Sequence, residues 1–194
     1  MITIDGTNFE EYGKVFITSD LHFCHNRDFL YEPRGFSSIA EHDQAIIERW
    51  NKIVSPEDIV FILGDIMLCD NHIGKQNFLQ LNGNKYIVTG NHDNDYRIAL
   101  YFNCWNVKNI NYAYRVRYNG FNFYLTHYPT LTGNFDIAKP LKARVINLCG
   151  HSHTSDPFAD WELGPIFHTE LDTNNNEPWL LDDIITKIKE KVYG

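Results

Sequence analysis

From Lys14 onward the apolar positions alternate between short β-branched runs and stripes at helical spacing. Lys14–Ser19 (KVFITS) predicts a strand that ends in a polar loop. Over 38–54, Ile39, Ile46, Ile47, Trp50 and Ile53 form one apolar stripe and Pro56 lies just past it, which predicts a helix. Asp58–Leu63 predicts a buried strand, Asn71–Leu81 a helix stopped by Asn82-Gly83, Lys85–Thr89 a strand, and Asp95–Phe102 a short helix.

The second half is richer in strands. Tyr112–Tyr118 and Phe121–Thr126 flank Asn119-Gly120, the dipeptide of a tight type I′ hairpin. Arg144–Cys149 and Ile166–Leu171 predict further strands, and Leu180–Val192 a terminal helix with Leu181, Ile184, Ile185 and Ile188 on one face. A β-α-β-α-β half followed by a β-rich half predicts an α/β fold of two packed sheets flanked by helices.

The 194 residues suit one domain over 1–194, and with 43% hydrophobic and 14% aromatic residues the chain can bury a core. The formal charge of −8 argues against a long nucleic-acid track, which needs a basic footprint. The start, MITIDGTNFEEYGK, has no basic segment leading into an apolar run, and no stretch is long enough to span a bilayer, so no membrane partner and a cytoplasmic location are expected. Cys24, Cys69, Cys104 and Cys149 are widely spaced with no C-x-x-C pair, which predicts reduced thiols rather than a zinc knuckle or redox dithiol.

The polar residues change the picture most. Asp20-Leu21-His22, Gly64-Asp65, Gly90-Asn91-His92-Asp93, His127 and Gly150-His151-Ser152-His153 each follow a predicted strand, where open α/β sheets place their sites. Of these, Asp20, Asp65, Asn91, His22, His127, His151 and His153 offer oxygen and imidazole donors without thiolate, a set suited to Mn²⁺, Fe, Zn²⁺, Co²⁺ or Ni²⁺. Seven donors exceed the needs of one tetrahedral ion, and with a bridging carboxylate they suffice for two ions about 3.5–4 Å apart. G-N-H-[DE] alone should arise by chance in roughly one chain per thousand of this length.

This order, D-x-H, G-D, G-N-H-[DE], H, G-H-x-H, resembles the calcineurin-like metallophosphoesterase superfamily over about Val15 to Asp172. Thr18-Ser19-Asp20-Leu21-His22-Phe23-Cys24-His25-Asn26, Arg34-Gly35-Phe36, Trp50-Asn51 and Leu63-Gly64-Asp65 are similar to the small, single-domain members of bacteria and phages. The resemblance implies a four-layer αββα sandwich of two mixed β-sheets flanked by helices. It implies Asp20, His22 and His153 around one metal, Asn91, His127 and His151 around the other, and Asp65 bridging both. His92 would face the leaving group rather than bind metal. The position three residues after Asp65, an Asp in many relatives, is Leu68 here.

Two bound dications, Mn²⁺ foremost, would lower the pKa of a water so that hydroxide attacks a phosphate ester near neutral pH. His92 would assist the leaving oxygen, with Asp93 or another nearby carboxylate orienting its ring. His25, Asn26 and Arg34 are candidate phosphate contacts, with loop-capping or surface roles as the alternative. His42 and His72 are expected to be solvated on their helices, and His168 has no motif around it. Tyr128, Phe158 and Trp161 could stack a base or pack the fold. Lys139, Lys142 and Arg144 read as a solvated face. The expected substrate is a small phosphoester, a diester or a nucleotide-like molecule, with a short oligonucleotide still open. A phosphomonoesterase or protein phosphatase and a non-catalytic scaffold are the alternatives.

Overall fold

The computed structural model describes residues 3–5, 13–132 and 139–194. Its elements in chain order are β1 (Thr3–Asp5), β2 (Val15–Thr18), α1 (Asp28–Tyr31), α2 (Ile39–Ile53), β3 (Ile59–Ile62), α3 (Asn71–Leu79), β4 (Asn84–Val88), α4 (Asp95–Phe102), β5 (Val107–Asn111), β6 (Tyr114–Tyr118), β7 (Phe121–Leu125), β8 (Val145–Cys149), β9 (Ile166–His168), β10 (Trp179–Leu180) and α5 (Leu181–Tyr193).

Local chemistry sets many of these boundaries. Ser38 caps α2 by accepting the Glu41 N–H, which meets one orphan donor of the first turn, while the Glu41 carboxylate accepts the Ser37 N–H just ahead of the helix. Asp70 and Asn94 cap α3 and α4 in the same way. Asn119 and Gly120 both have left-handed φ, 49° and 80°, as a type I′ turn between β6 and β7 requires. Trp50 and Asn51 serve the turn after α3: the indole donates to Asn82 O, and Asn51 bonds both Gln80 O and the Asn82 N–H.

Two mixed five-stranded sheets result, in the orders β10-β2-β3-β4-β5 and β1-β6-β7-β8-β9. In the first, β2 to β5 are parallel and β10 is antiparallel to β2. In the second, β6 and β7 form the antiparallel hairpin, while β7, β8 and β9 run parallel. Ile17, Phe61 and Val88 of the first sheet pack against Tyr114, Phe123 and Leu148 of the second, and the apolar stripe of α5 joins this core. Val60, Ile62 and Ile87, on the other face of the first sheet, pack against Trp50, Phe78 and Tyr101 beneath α2, α3 and α4. Two mixed sheets flanked by helices are thus what the alternating pattern predicts.

The differences lie at weakly patterned segments. The short α1, the two-residue β10 and the half-buried β5 (VKNIN) carry too few apolar positions for a periodic signal. β6 begins at Tyr114 rather than Tyr112, which is 85% exposed. β9 ends at His168, and the chain turns into a short 3-10 segment at Leu171–Thr173. Among the described residues no helix is long and apolar enough to cross a membrane.

Candidate metal centre

The carboxyl ends of β2, β3, β4, β7 and β8 carry the motif loops, and backbone hydrogen bonds knit them together. The Asp20 N–H donates to Gly64 O, the His22 N–H to Asp65 O, and the Gly150 N–H to His127 O. Asp20, His22, Asp65, His151 and His153 all have φ between 48° and 77°, a left-handed region that non-glycine residues seldom occupy. Such concentrated strain persists where surrounding contacts over-determine the backbone, as in ligand sites. Two motif glycines allow close approach. A Cβ on Gly90 would strike the Asp65 carboxylate, and one on Gly150 would strike Ser19 Oγ and Asp20 Oδ2.

Two compact donor groups result: Asp20, His22 and His153, and Asp20, Asp65 and His127, each with donor atoms within 4.8 Å of one another. His22 Nε2 and His153 Nε2 face each other at 3.1 Å, and they lie 3.6 and 3.7 Å from Asp20 Oδ1. Asp65 Oδ2 stands 3.7 Å from His22 Nε2 and 3.6 Å from His127 Nε2. His127 Nε2 meets Asn91 Oδ1 at 2.8 Å, and the His151 ring lies 5.1 Å from that of His127.

The hydrogen-bonding pattern fits cations at this place. His127 Nδ1 lies 2.8 Å from Leu63 O, so it carries the proton and leaves Nε2 as a lone pair facing a second acceptor, Asn91 Oδ1. His153 Nδ1 lies 3.3 Å from Asp172 Oδ2, which likewise turns a lone pair at Nε2 toward His22. Asp20 Oδ1 is buried with no hydrogen-bond partner. Acceptors converging on acceptors, with an orphaned carboxylate oxygen between them, are the donor set of a divalent metal site.

Burial works against ionisation of Asp20, but His22, His153 and His127 hold its carboxyl below the usual range. Burial, with the charge of Asp20 adding, raises Asp65. Burial lowers His22, and it lowers His151 together with the neighbouring His127, so both favour the neutral ring that ligation needs. His153 is raised: burial opposes its charge, but the carboxylates of Asp172 and Asp20 outweigh that.

A cavity of about 530 Å³ opens over the donors, lined in part by His22, Asn91, His92, His151 and His153. His92 reaches it with its ring 39% exposed and Nε2 3.9 Å from Asp65 Oδ2, while its N–H donates to Asp65 Oδ1. His25 also lines it, with its ring 5.3 Å from that of His22. Asn26 is exposed and does not line it.

Three expectations are corrected. The Asp93 carboxylate does not orient the His92 ring; it accepts the N–H groups of Asp65, Ile66 and Gly90 and the Tyr101 hydroxyl, tying the β3 loop to the β4 loop. Arg34 is no phosphate contact. It is buried, pairs with Asp172 through Nε and Nη2 at 3.0 and 2.7 Å, and donates to Asp20 O. Its guanidinium therefore stands behind His153. His42 is fully buried rather than solvated, between Arg34 Nη1 and Asp43 Oδ1, and burial pushes its pKa down.

Elsewhere, His72 is exposed as expected, and His168 is buried between Glu170 and Asp160. Phe158 and Trp161 pack against the inter-sheet core, whereas Tyr128 is half exposed with its ring 4.7 Å from that of His151. The four cysteines are free. Sequence reading missed Asp172, Asp43 and Arg97, which donates to the His92 carbonyl. No local motif marks these residues: Asp172 meets Arg34 138 positions away, and Asp43 and Arg97 turn inward on helices whose pattern does not reveal it.

Residues 13–190 match the family described as calcineurin-like phosphoesterase. An uncharacterized protein of Methanocaldococcus jannaschii is 32% identical over 186 residues, covering 92% of each chain. The Gene 66 protein of Mycobacterium phage D29 is 31% identical over 161 residues, 73% of this chain and 79% of that one. A crystal structure of a protein of unknown function from Aquifex aeolicus matches with a TM-score of 0.68 at 20% identity, covering 90% of this chain and 98% of that one, and so shares the fold. With a family match over most of its length and donor groups that suit divalent ions, the chain belongs to the calcineurin-like phosphoesterase family and is a metal-dependent phosphoesterase.

Proposed function

We propose that residues 1–194 act as one domain that hydrolyses phosphodiesters or nucleotide-like small phosphoesters at a pair of divalent cations, with Mn²⁺ the foremost candidate. The observation that carries this reading is the position of Asp65, whose Oδ2 stands within 3.7 Å of donor nitrogens on both sides, His22 and His127. Asp20, His22 and His153 would hold one ion, Asn91, His127 and His151 the other, and Asp65 both. When bound, such a pair supplies Lewis acidity, drawing phosphoryl oxygens in and lowering the pKa of water.

The chain's own residues supply the rest. Two dications outweigh the carboxylates of Asp20 and Asp65, so the site attracts an anion. His92 donates a proton to the departing oxygen, or a hydrogen bond that stabilises it, from a backbone anchored by Asp65 Oδ1 on its N–H and by Arg97 on its carbonyl. No lysine or arginine is among the described residues lining the cavity, which suits a singly charged diester better than a dianionic monoester.

A Mn²⁺-supplemented panel tests this: p-nitrophenyl phosphate, its bis ester, cyclic nucleotides and short RNA. Turnover of the diesters supports the reading. Turnover of the monoester alone would replace it with a phosphomonoesterase, and a chain that neither binds metal tightly nor turns over any ester would favour a scaffold.

A further inference from the structure

Beside the donor groups the cavity has an apolar side that the hydrolysis itself does not use. Phe29 and Leu30 of α1, Pro33 and Leu68 line it. Phe29 is 73% exposed, so most of its ring is left open. The ring meets His25 edge-on at 5.7 Å, and His25 lies 6.4 Å from His92, which in turn lies 5.5 Å from His22. A continuous row of rings therefore runs from the candidate metal donors, past the group assigned to the leaving oxygen, to an uncovered aromatic face.

Resting on the hydrolytic reading above, we propose that this apolar side is a leaving-group subsite selecting esters whose alcohol carries a flat, uncharged ring, as a nucleoside does, packed on Phe29. An exposed aromatic beside a polar centre is a ready stacking platform. The lack of any lysine or arginine among the described lining residues gives further phosphates no partner, so the subsite rejects polyphosphates and longer oligonucleotides. Leu68, three residues after Asp65, adds to the apolar side and offers the alcohol no charge.

The test compares the methyl phosphodiester of adenosine at its 5′ oxygen with the same diester of ribose, which lacks only the base. Water adds to phosphorus, the bond from phosphorus to the 5′ oxygen breaks, and that oxygen leaves as a hydroxyl, so the expected products are adenosine and methyl phosphate. With Mn²⁺, kcat/KM should favour the adenosine ester about tenfold. Phe29→Ala should erase that preference while leaving the ribose ester unchanged, and Phe29→Tyr should keep it. Equal rates for both esters, equal losses in Phe29→Ala, or methanol and adenosine monophosphate as products would overturn the proposal. Calorimetric binding of adenosine monophosphate against ribose 5-phosphate to the metal-loaded protein reads the subsite without turnover. A preference for the nucleotide that Phe29→Ala abolishes would uphold the subsite even if no ester were hydrolysed, a result that would fell the hydrolytic reading alone. No preference in binding would fell the subsite.

Discussion

The two sides of the candidate centre are built differently. Around Asp20, His22 and His153, two of the three donors are buried, and polar and charged side chains stand behind them: Asp172 on His153, Arg34 on Asp172, and His42 and Asp43 behind Arg34. Around Asn91, His127 and His151 only His127 is buried, and its orientation comes from a backbone carbonyl, Leu63 O. A donor held by a charged network is oriented more firmly than one on an exposed loop, since removing one partner leaves an uncompensated buried charge. The first side should therefore bind its ion more tightly, and the second should exchange more readily.

The sharpest way to break this comparison is to remove the carboxylate proposed to serve both sides. Asp65→Ala should lower turnover by about a thousandfold or more and reduce the metal content of both sides, read by elemental analysis. Retention of two tightly held ions would mean that Asp65 is not shared. Next, His92→Ala should lower turnover by roughly 10²–10⁴ with metal content intact; loss of metal would make His92 a ligand.

The asymmetry itself is sharpened by Asp172→Asn and Arg34→Ala. Each should weaken one ion by about 10–100-fold in a chelator competition and leave the other in place. In the wild type a chelator should remove the ions in two steps, the more exposed side first. A single step in all three proteins would show that the sides are one unit.

The smallest expected effect serves as a control away from both sides. Lys85 is fully buried and bonds Leu81 O and Gly83 O, and burial pushes its amine down to about 7. Above that pH the folded amine is neutral while the unfolded one still binds its proton, so stability rises with pH. His153 and His168, both raised against burial by neighbouring carboxylates, oppose this slope as they lose their protons, and the thiols oppose it at higher pH. Burial pushes Cys24 up to about 12, which gives the opposite slope above the ordinary thiol range. From pH 7 upward the denaturant midpoint of the wild type should therefore gain on that of Lys85→Met, with metal binding unchanged.

Much of this was legible in the sequence because it is local. The stripe of α2, the Asn119-Gly120 turn and the strand-end motifs need only near neighbours to be read. Arg34 was not legible: its partner Asp172 lies 138 residues away, and nothing beside Arg34 distinguishes a buried ion pair from a surface charge. His42 occupies a helix position that periodicity leaves ambiguous, and burial there depends on Arg34 arriving from another segment. Asp93 stands next to His92 in sequence, yet its carboxylate serves the backbone of the β3 and β4 loops.

The sequence by itself determined the chemistry on offer: seven oxygen and imidazole donors, each just past a strand. The tertiary structure alone decided which donors face a common point, which imidazole nitrogen keeps its proton, and which aromatic is left beside the cavity. The physical reason is that residue type and spacing are properties of the chain, whereas burial, tautomer and ion pairing are set by groups that only folding brings together.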